Sequence, residues 1–73
     1  MSQKDIVATW GVSDGSDWLE SVNASVLAKA FRGNAVNGAD LLSFTCPEML
    51  VADLQLSCFA ARKLLQLRED FLA

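Results

Sequence analysis

Carboxylates and thiols are the side chains of this chain that could do chemistry. Asp14, Asp17 and Glu20 follow one another at intervals of three, and a pair of carboxylates can act as general acid and base. We favour a simpler interpretation, in which these acids lie at the solvated start of a helix, where negative charge is favourable. The sequence has no histidine, no Gly-x-Ser-x-Gly and no phosphate-binding glycine loop. It therefore predicts no enzyme activity, no catalytic residue, no cofactor and no small-molecule substrate.

The two cysteines, Cys46 and Cys58, could in principle be reactive thiols, a disulfide or metal ligands. A zinc site needs about four thiolate or imidazole ligands, so we expect no metal. Neither cysteine has a base near it in the sequence, and we interpret both as ordinary residues near helix starts. Residues 1–9 mix charged and short apolar side chains and do not resemble a signal peptide. We therefore predict free thiols in the cytoplasm or another reducing intracellular compartment.

Length and composition indicate one small domain whose function lies on its surface. Its 73 residues make a single domain, and 52% of them are hydrophobic, which is more than so small an interior needs. The net charge of -3 argues against nucleic-acid binding, which needs a concentrated basic face. No apolar stretch approaches the roughly 20 residues of a membrane span, so we expect no membrane contact.

Apolar spacing and helix-capping residues predict five helices in residues 10–73, after a flexible lead-in at residues 1–9. The first helix starts at Ser13-Asp14. The second spans residues 24–32 and should end at Gly33-Asn34, because glycine and asparagine both tolerate positive φ. The pattern does not alternate as a strand would, so the fold class is all-α.

The remaining three helices have clearer start signals. Asn37 should cap a short helix over residues 38–43, although Asn-Gly also favours a hairpin turn. In Thr45-Cys46-Pro47-Glu48, we expect the threonine to cap the fourth helix, the proline to lie in its first turn and the glutamate to complete a capping box. The last and longest helix should run from Ser57 to about Phe71, with apolar residues three or four apart.

Four apolar motifs occur in order and almost without gaps along residues 10–72. They are Trp10 with Trp18-Leu19; Val22-Asn23-Ala24 with Leu27 and Phe31; Val36-Asn37-Gly38 with Leu41-Leu42; and Leu54-Gln55-Leu56 with Arg62. This order resembles the sterile alpha motif (SAM) domain family. Gln55 replaces a usual glycine, and Ala60-Ala61 replaces a usual Gly-His pair, so the chain resembles a divergent member. The resemblance implies a compact five-helix bundle with a longer C-terminal helix.

The same resemblance implies two surfaces for association, since SAM domains commonly associate head to tail. The end-helix surface of this chain would comprise Ser57, Cys58, Phe59, Arg62 and Lys63. The mid-loop surface would comprise Asn37, Asp40, Glu48 and Asp53. A basic surface that meets an acidic one makes a heterologous contact, which propagates into filaments or closes into rings. The implied function is a protein–protein interaction module that pairs with itself or with another SAM domain, as an oligomer or a scaffold.

Two alternatives remain open at this stage. Some SAM domains bind RNA stem-loops through a basic patch at the start of the last helix, but here that patch holds only Arg62 and Lys63. The other alternative is a monomeric structural domain whose charges are merely solvated, because most surface ion pairs contribute only about 0–1 kcal/mol. Phe59 separates the interaction module from the monomer: in the monomer it packs under its helix, and in the module it is exposed to a partner.

Overall fold

Six helices make up the fold in the computed structural model, which describes residues 2–73. They are α1 (Gln3–Ala8), α2 (Val12–Ser21), α3 (Ser25–Asn34), α4 (Gly38–Ser43), α5 (Pro47–Leu54) and α6 (Cys58–Leu72). The described residues contain no strand, which confirms the all-α fold class. The helix α6 is the longest, as the sequence predicts.

The helix α1 was not expected, and it adds a sixth helix to the five predicted in residues 10–73, which correspond to α2 to α6. It lies within residues 1–9, where we predicted a flexible lead-in. Ser2 Oγ accepts a hydrogen bond from the Asp5 N–H at 3.2 Å, and the Asp5 carboxylate accepts one from the Ser2 N–H at 3.4 Å. A six-residue helix is not stable alone, but Val7 is buried and α1 packs against α4. Val7 is the single buried residue of α1, and one apolar position is too weak a pattern to predict a helix.

The capping residues were predicted with mixed success. Asn37 Oδ1 accepts from the Asp40 N–H at 2.8 Å, as expected at the start of α4. Ser57, which we predicted as the first residue of the last helix, lies one residue before α6 and caps it, since its Oγ accepts from the Ala60 N–H at 3.1 Å. The cap at Thr45 is wrong, because Cys46 occupies the cap position and α5 begins one residue later. The Thr45 hydroxyl instead lies 3.3 Å from the sulfur of Met49. No capping box with Glu48 forms, although Pro47 does open the helix.

The end of α3 also differs from the prediction. The helix continues through Gly33 and Asn34, and the chain reverses at Ala35, which has a φ of 52°. The Asn34 side chain donates to the Ala30 carbonyl at 2.9 Å, and the Val36 N–H donates to the Phe31 carbonyl at 3.0 Å. The turn therefore lies one residue beyond Gly33 and Asn34, which would favour it, because this position lets Val36 be buried. The left-handed conformation costs an alanine about 1–2 kcal/mol.

The core runs through all six helices. Its fully buried large side chains are Val7, Leu19, Phe31, Leu41, Leu50 and Leu64. Trp10, Trp18 and Phe71 form an aromatic cluster beside this core, with ring centroids 5.4 to 6.0 Å apart. Both tryptophans are half-buried there and pack against the core.

Gly38 lets the start of α4 come against the chain that leaves α1. Its N–H donates to the Trp10 carbonyl at 2.9 Å. A Cβ at this position would lie 1.8 Å from the Val7 carbonyl oxygen and 2.8 Å from the Trp10 Cβ. Only glycine fits, because the nearest atom belongs to the backbone and has no rotamer with which to move away.

Arg68 holds the other end of α4. Its guanidinium donates to the Leu41 carbonyl at 2.9 Å and also to the Phe44 carbonyl. These carbonyls lie at the C-terminus of α4, where the helix itself supplies no partner. The arginine side chain is only 13% exposed and also pairs with Glu69 at 3.0 Å. Arg68 thus ties α6 to α4.

We expect Gly38→Ala to lower the free energy of unfolding by about 3 kcal/mol or more, since α4 must move away from Val7. For a domain of this size that loss corresponds to a fall in Tm of more than about 12 °C. The control is Gly33→Ala, where a Cβ meets nothing within 4 Å. Because alanine favours the helix, this control should gain up to about 1 kcal/mol. Equal thermal melts for the two variants would contradict the packing described for Gly38.

We expect Arg68→Ala to lower the free energy of unfolding by roughly 1.5–3 kcal/mol, the usual loss for hydrogen bonds to a charged group. The matched control is Arg32→Ala, which removes an exposed ion pair to Glu20 at 2.9 Å. That loss should not exceed about 1 kcal/mol. Urea unfolding of both variants measures the difference, and a control as costly as Arg68→Ala would show that α4 does not depend on this cap.

Candidate interaction surfaces

The first turn of α6 presents the predicted end-helix surface. Ser57 caps the helix, and Cys58, Phe59, Arg62 and Lys63 are all exposed. The Phe59 side chain is 71% exposed, so it does not pack under its helix. This exposure agrees with what the interaction module predicts, whereas the contact of Phe59 with a partner stays a prediction.

A groove lies between this turn and the start of α3. The end-helix groove has a volume of about 250 Å³ and is lined mainly by Asn23, Val26, Leu27, Phe59, Ala60 and Lys63. Val26 is 75% exposed, and the sequence analysis did not single it out. Val26 lies outside the row of buried residues of α3, which contains Leu27 and Ala28. This position off the buried face was the only sequence signal that Val26 is exposed, and it was weak. Only the tertiary structure brings Val26 and Phe59 to the same groove.

The predicted mid-loop surface is partly assembled around a second groove. The mid-loop groove has a volume of about 270 Å³ and is lined mainly by Val36, Asp40, Phe44, Met49, Asp53 and Leu54. Asp40 and Asp53 therefore lie at one groove although thirteen residues separate them. The Asp40 carboxylate also accepts from the Asn37 N–H at 3.3 Å, so Asn37 and Asp40 already serve as the start of α4.

Glu48 lies elsewhere. It lines a third, smaller groove of about 180 Å³ with Pro47, Val51, Ala52 and Cys58. The structure thus brings Glu48 to a residue of the end-helix surface and not to the mid-loop groove. Of the four acidic or polar residues assigned to the mid-loop surface, Asp40 and Asp53 are the two that share a groove.

The charged side chains at these two surfaces have no ion-pair partner within the described part of the chain. Among residues 2–73 the ion pairs are Arg32 with Glu20 and Arg68 with Glu69. Arg62 and Lys63 take part in neither pair, and the same holds for Asp40 and Asp53. A basic surface and an acidic surface are therefore both left with charges that a partner could neutralise.

Two of the three acids that could act in acid–base chemistry make contacts that support the fold. The Asp14 carboxylate accepts from the Gly11 N–H at 3.0 Å at the start of α2, and Glu20 pairs with Arg32. Cys46 is half-buried and Cys58 is exposed, and both are free thiols. Within residues 2–73, no three acids or cysteines are grouped as a metal site would need, and no helix has the length and apolar content to cross a membrane.

Comparison with known protein families gives one match. The family model described as SAM domain (Sterile alpha motif) matches residues 7–72, nearly the whole chain. No curated protein and no solved structure matches the chain at a significant level. The match begins at the buried Val7 of α1 and ends within the last turn of α6. The motif order and the helical bundle agree with it, and the chain belongs to the SAM domain family.

Proposed function

We propose that this chain associates head to tail with SAM domains, its own copies first, through its end-helix surface on one molecule and its mid-loop surface on the next. SAM domains are generally protein-interaction modules and are typically not catalytic. The observation that carries the proposal is Phe59, which is 71% exposed beside Arg62 and Lys63. A large apolar ring left in water next to unpaired cations is the usual composition of an anchor with a polar rim.

Apolar burial and charge have different parts in such a contact. Full burial of a phenylalanine side chain contributes about 1.5–3 kcal/mol, whereas an exposed ion pair contributes about 0–1 kcal/mol. Phe59 therefore supplies affinity, and Lys63 facing Asp40 or Asp53 supplies orientation and the rate of association. The charged component is screened by salt, so association should weaken as ionic strength rises.

The two surfaces differ, and so the contact is heterologous. Each molecule keeps one free end-helix surface and one free mid-loop surface after pairing. Such a contact continues into an open filament or closes into a ring. Blocking one surface on each of two molecules leaves a single usable contact between them, which limits assembly to a pair.

We expect a Lys63→Glu chain that also carries Phe59→Ala, and an Asp53→Lys chain, each to lose self-association, since each places like charges across the contact. Mixing the two variants should restore a 1:1 dimer, because the Asp53→Lys chain keeps its end-helix surface and the Lys63→Glu chain keeps its mid-loop surface. The opposite pairing of the two chains brings the reversed charges together without the Phe59 ring, and an exposed ion pair alone contributes only about 0–1 kcal/mol. Asp53 lies near the C-terminus of α5, so a lysine there suits the helix dipole. Light scattering at increasing concentration measures the mass of each sample.

Two controls make the same changes in charge elsewhere. Lys29→Glu and Asp17→Lys alter exposed residues outside both grooves and should assemble like the original chain. A chain that remains a monomer at high concentration before any substitution would reject self-association. A mixture that stays monomeric while the original chain assembles would reject this pair of surfaces.

We expect Phe59→Ala to weaken association at least about tenfold, the loss that about 1.4 kcal/mol produces. Because Phe59 is largely exposed, the Tm of the variant should stay within a few degrees of the Tm of the unsubstituted chain. Ile6→Ala, an exposed apolar residue of α1 outside both surfaces, serves as the comparison. Sedimentation velocity gives the affinity of each variant, and an unchanged affinity for Phe59→Ala would remove the anchor from the proposal.

A further inference from the structure

Val26 and Phe59 are the two most exposed large apolar side chains of the described chain, at 75% and 71%. Single exposed apolar residues are ordinary on a protein surface. These two are not scattered, however, because they line the same groove from different helices. A surface whose largest apolar residues are both placed at one groove has the composition of an interface.

The end-helix groove is apolar at its base and polar at its edge. Leu27 and Ala60 line it between the two exposed residues, whereas Asn23 and Lys63 bring the polar groups. Ser25, the first residue of α3, precedes Val26, so Val26 lies in the first turn of that helix. A partner seated on Phe59 alone would leave Val26 in water at the same groove.

We propose that Val26 is a second apolar contact of the end-helix surface, and that its occupant is the rim of the mid-loop groove on a second copy of this chain. The inference rests on the proposed head-to-tail association and adds a contact from α3. The partner would thus be held by α3 and α6 together, and not by α6 alone.

Charge complementarity supports a second copy as the occupant. Lys63 at the end-helix groove has no ion-pair partner among residues 2–73, and Asp40 and Asp53 at the mid-loop groove have none either. Both grooves carry apolar residues beside these charges. A phosphate backbone would gain nothing from Val26 and would find one cation at this groove.

The dimer formed by mixing the two variant chains allows a test that distinguishes the two surfaces. The Asp53→Lys chain contributes its end-helix surface, and the Lys63→Glu chain contributes its mid-loop surface. Val26→Thr, which keeps the shape of the side chain but replaces one methyl group with a hydroxyl, is introduced into one chain at a time. In the Asp53→Lys chain it should weaken the dimer roughly five- to tenfold, and in the Lys63→Glu chain it should change nothing.

Val26→Asp strengthens the test, because its carboxylate would face Asp40 or Asp53 of the partner. In the Asp53→Lys chain it should weaken the dimer more than Val26→Thr does, by at least about tenfold. An acid in the first turn of α3 favours that helix, so unchanged thermal melts will exclude a folding defect. Isothermal titration of one chain into the other gives each dissociation constant.

Three results would overturn the inference. If Val26→Thr and Val26→Asp leave the affinity unchanged while Phe59→Ala in the same chain lowers it, Val26 is no contact and the proposed function stands. If the substitution weakens the dimer equally in either chain, its effect is not specific to the end-helix groove. If the two chains form no dimer, or if Val26→Asp abolishes binding of a stem-loop RNA, a second copy is not the occupant.

Discussion

The contact between Gly38 and the backbone of Val7 sets the position of α4. No side chain fits between them, because the Val7 carbonyl oxygen lies where a Cβ would be. The Arg68 guanidinium holds the far end of the same helix through the Leu41 and Phe44 carbonyls. A helix of six residues has little stability of its own, so these two contacts and the burial of Leu41 decide where it lies. The mid-loop groove depends on that position, since Asp40 belongs to α4 and Asp53 to α5.

The two grooves illustrate how a small domain can carry binding without a catalytic centre. A chain of this length buries only about 60% of the surface that it exposes when unfolded, and some apolar residues remain outside. Here those residues are not spread evenly, because Val26 and Phe59 lie at one groove with Lys63. Of the three acids spaced three residues apart, Asp14 serves the start of α2 and Glu20 pairs with Arg32.

Local signals in the sequence succeeded where one short-range interaction decides the structure. The caps at Asn37 and Ser57 need only a side-chain oxygen and an N–H three residues later, so they follow from the sequence. The predictions failed where distant packing competes with a local preference. Burial of Val36 carries α3 past Gly33, and the unexpected α1 exists because Val7 is buried against the rest of the fold. Arg68 could not be assigned a role, because its partners lie 24 and 27 residues away in the chain.

The sequence by itself determined the helical class and the order of the family motifs, and it contains no histidine, no Gly-x-Ser-x-Gly and no phosphate-binding glycine loop. It also placed Phe59 at the start of the last helix, where exposure was one of two alternatives. Apolar periodicity and capping are local properties, and a single chain displays them before it folds. Only the tertiary structure decided which distant residues line the same groove: Val26 with Phe59, Asp40 with Asp53, and Glu48 with Cys58. Those groupings depend on how the helices pack, which is a long-range property that no local pattern displays; Gly38 and Arg68 fix that packing for α4, and the shared core fixes it for the other helices.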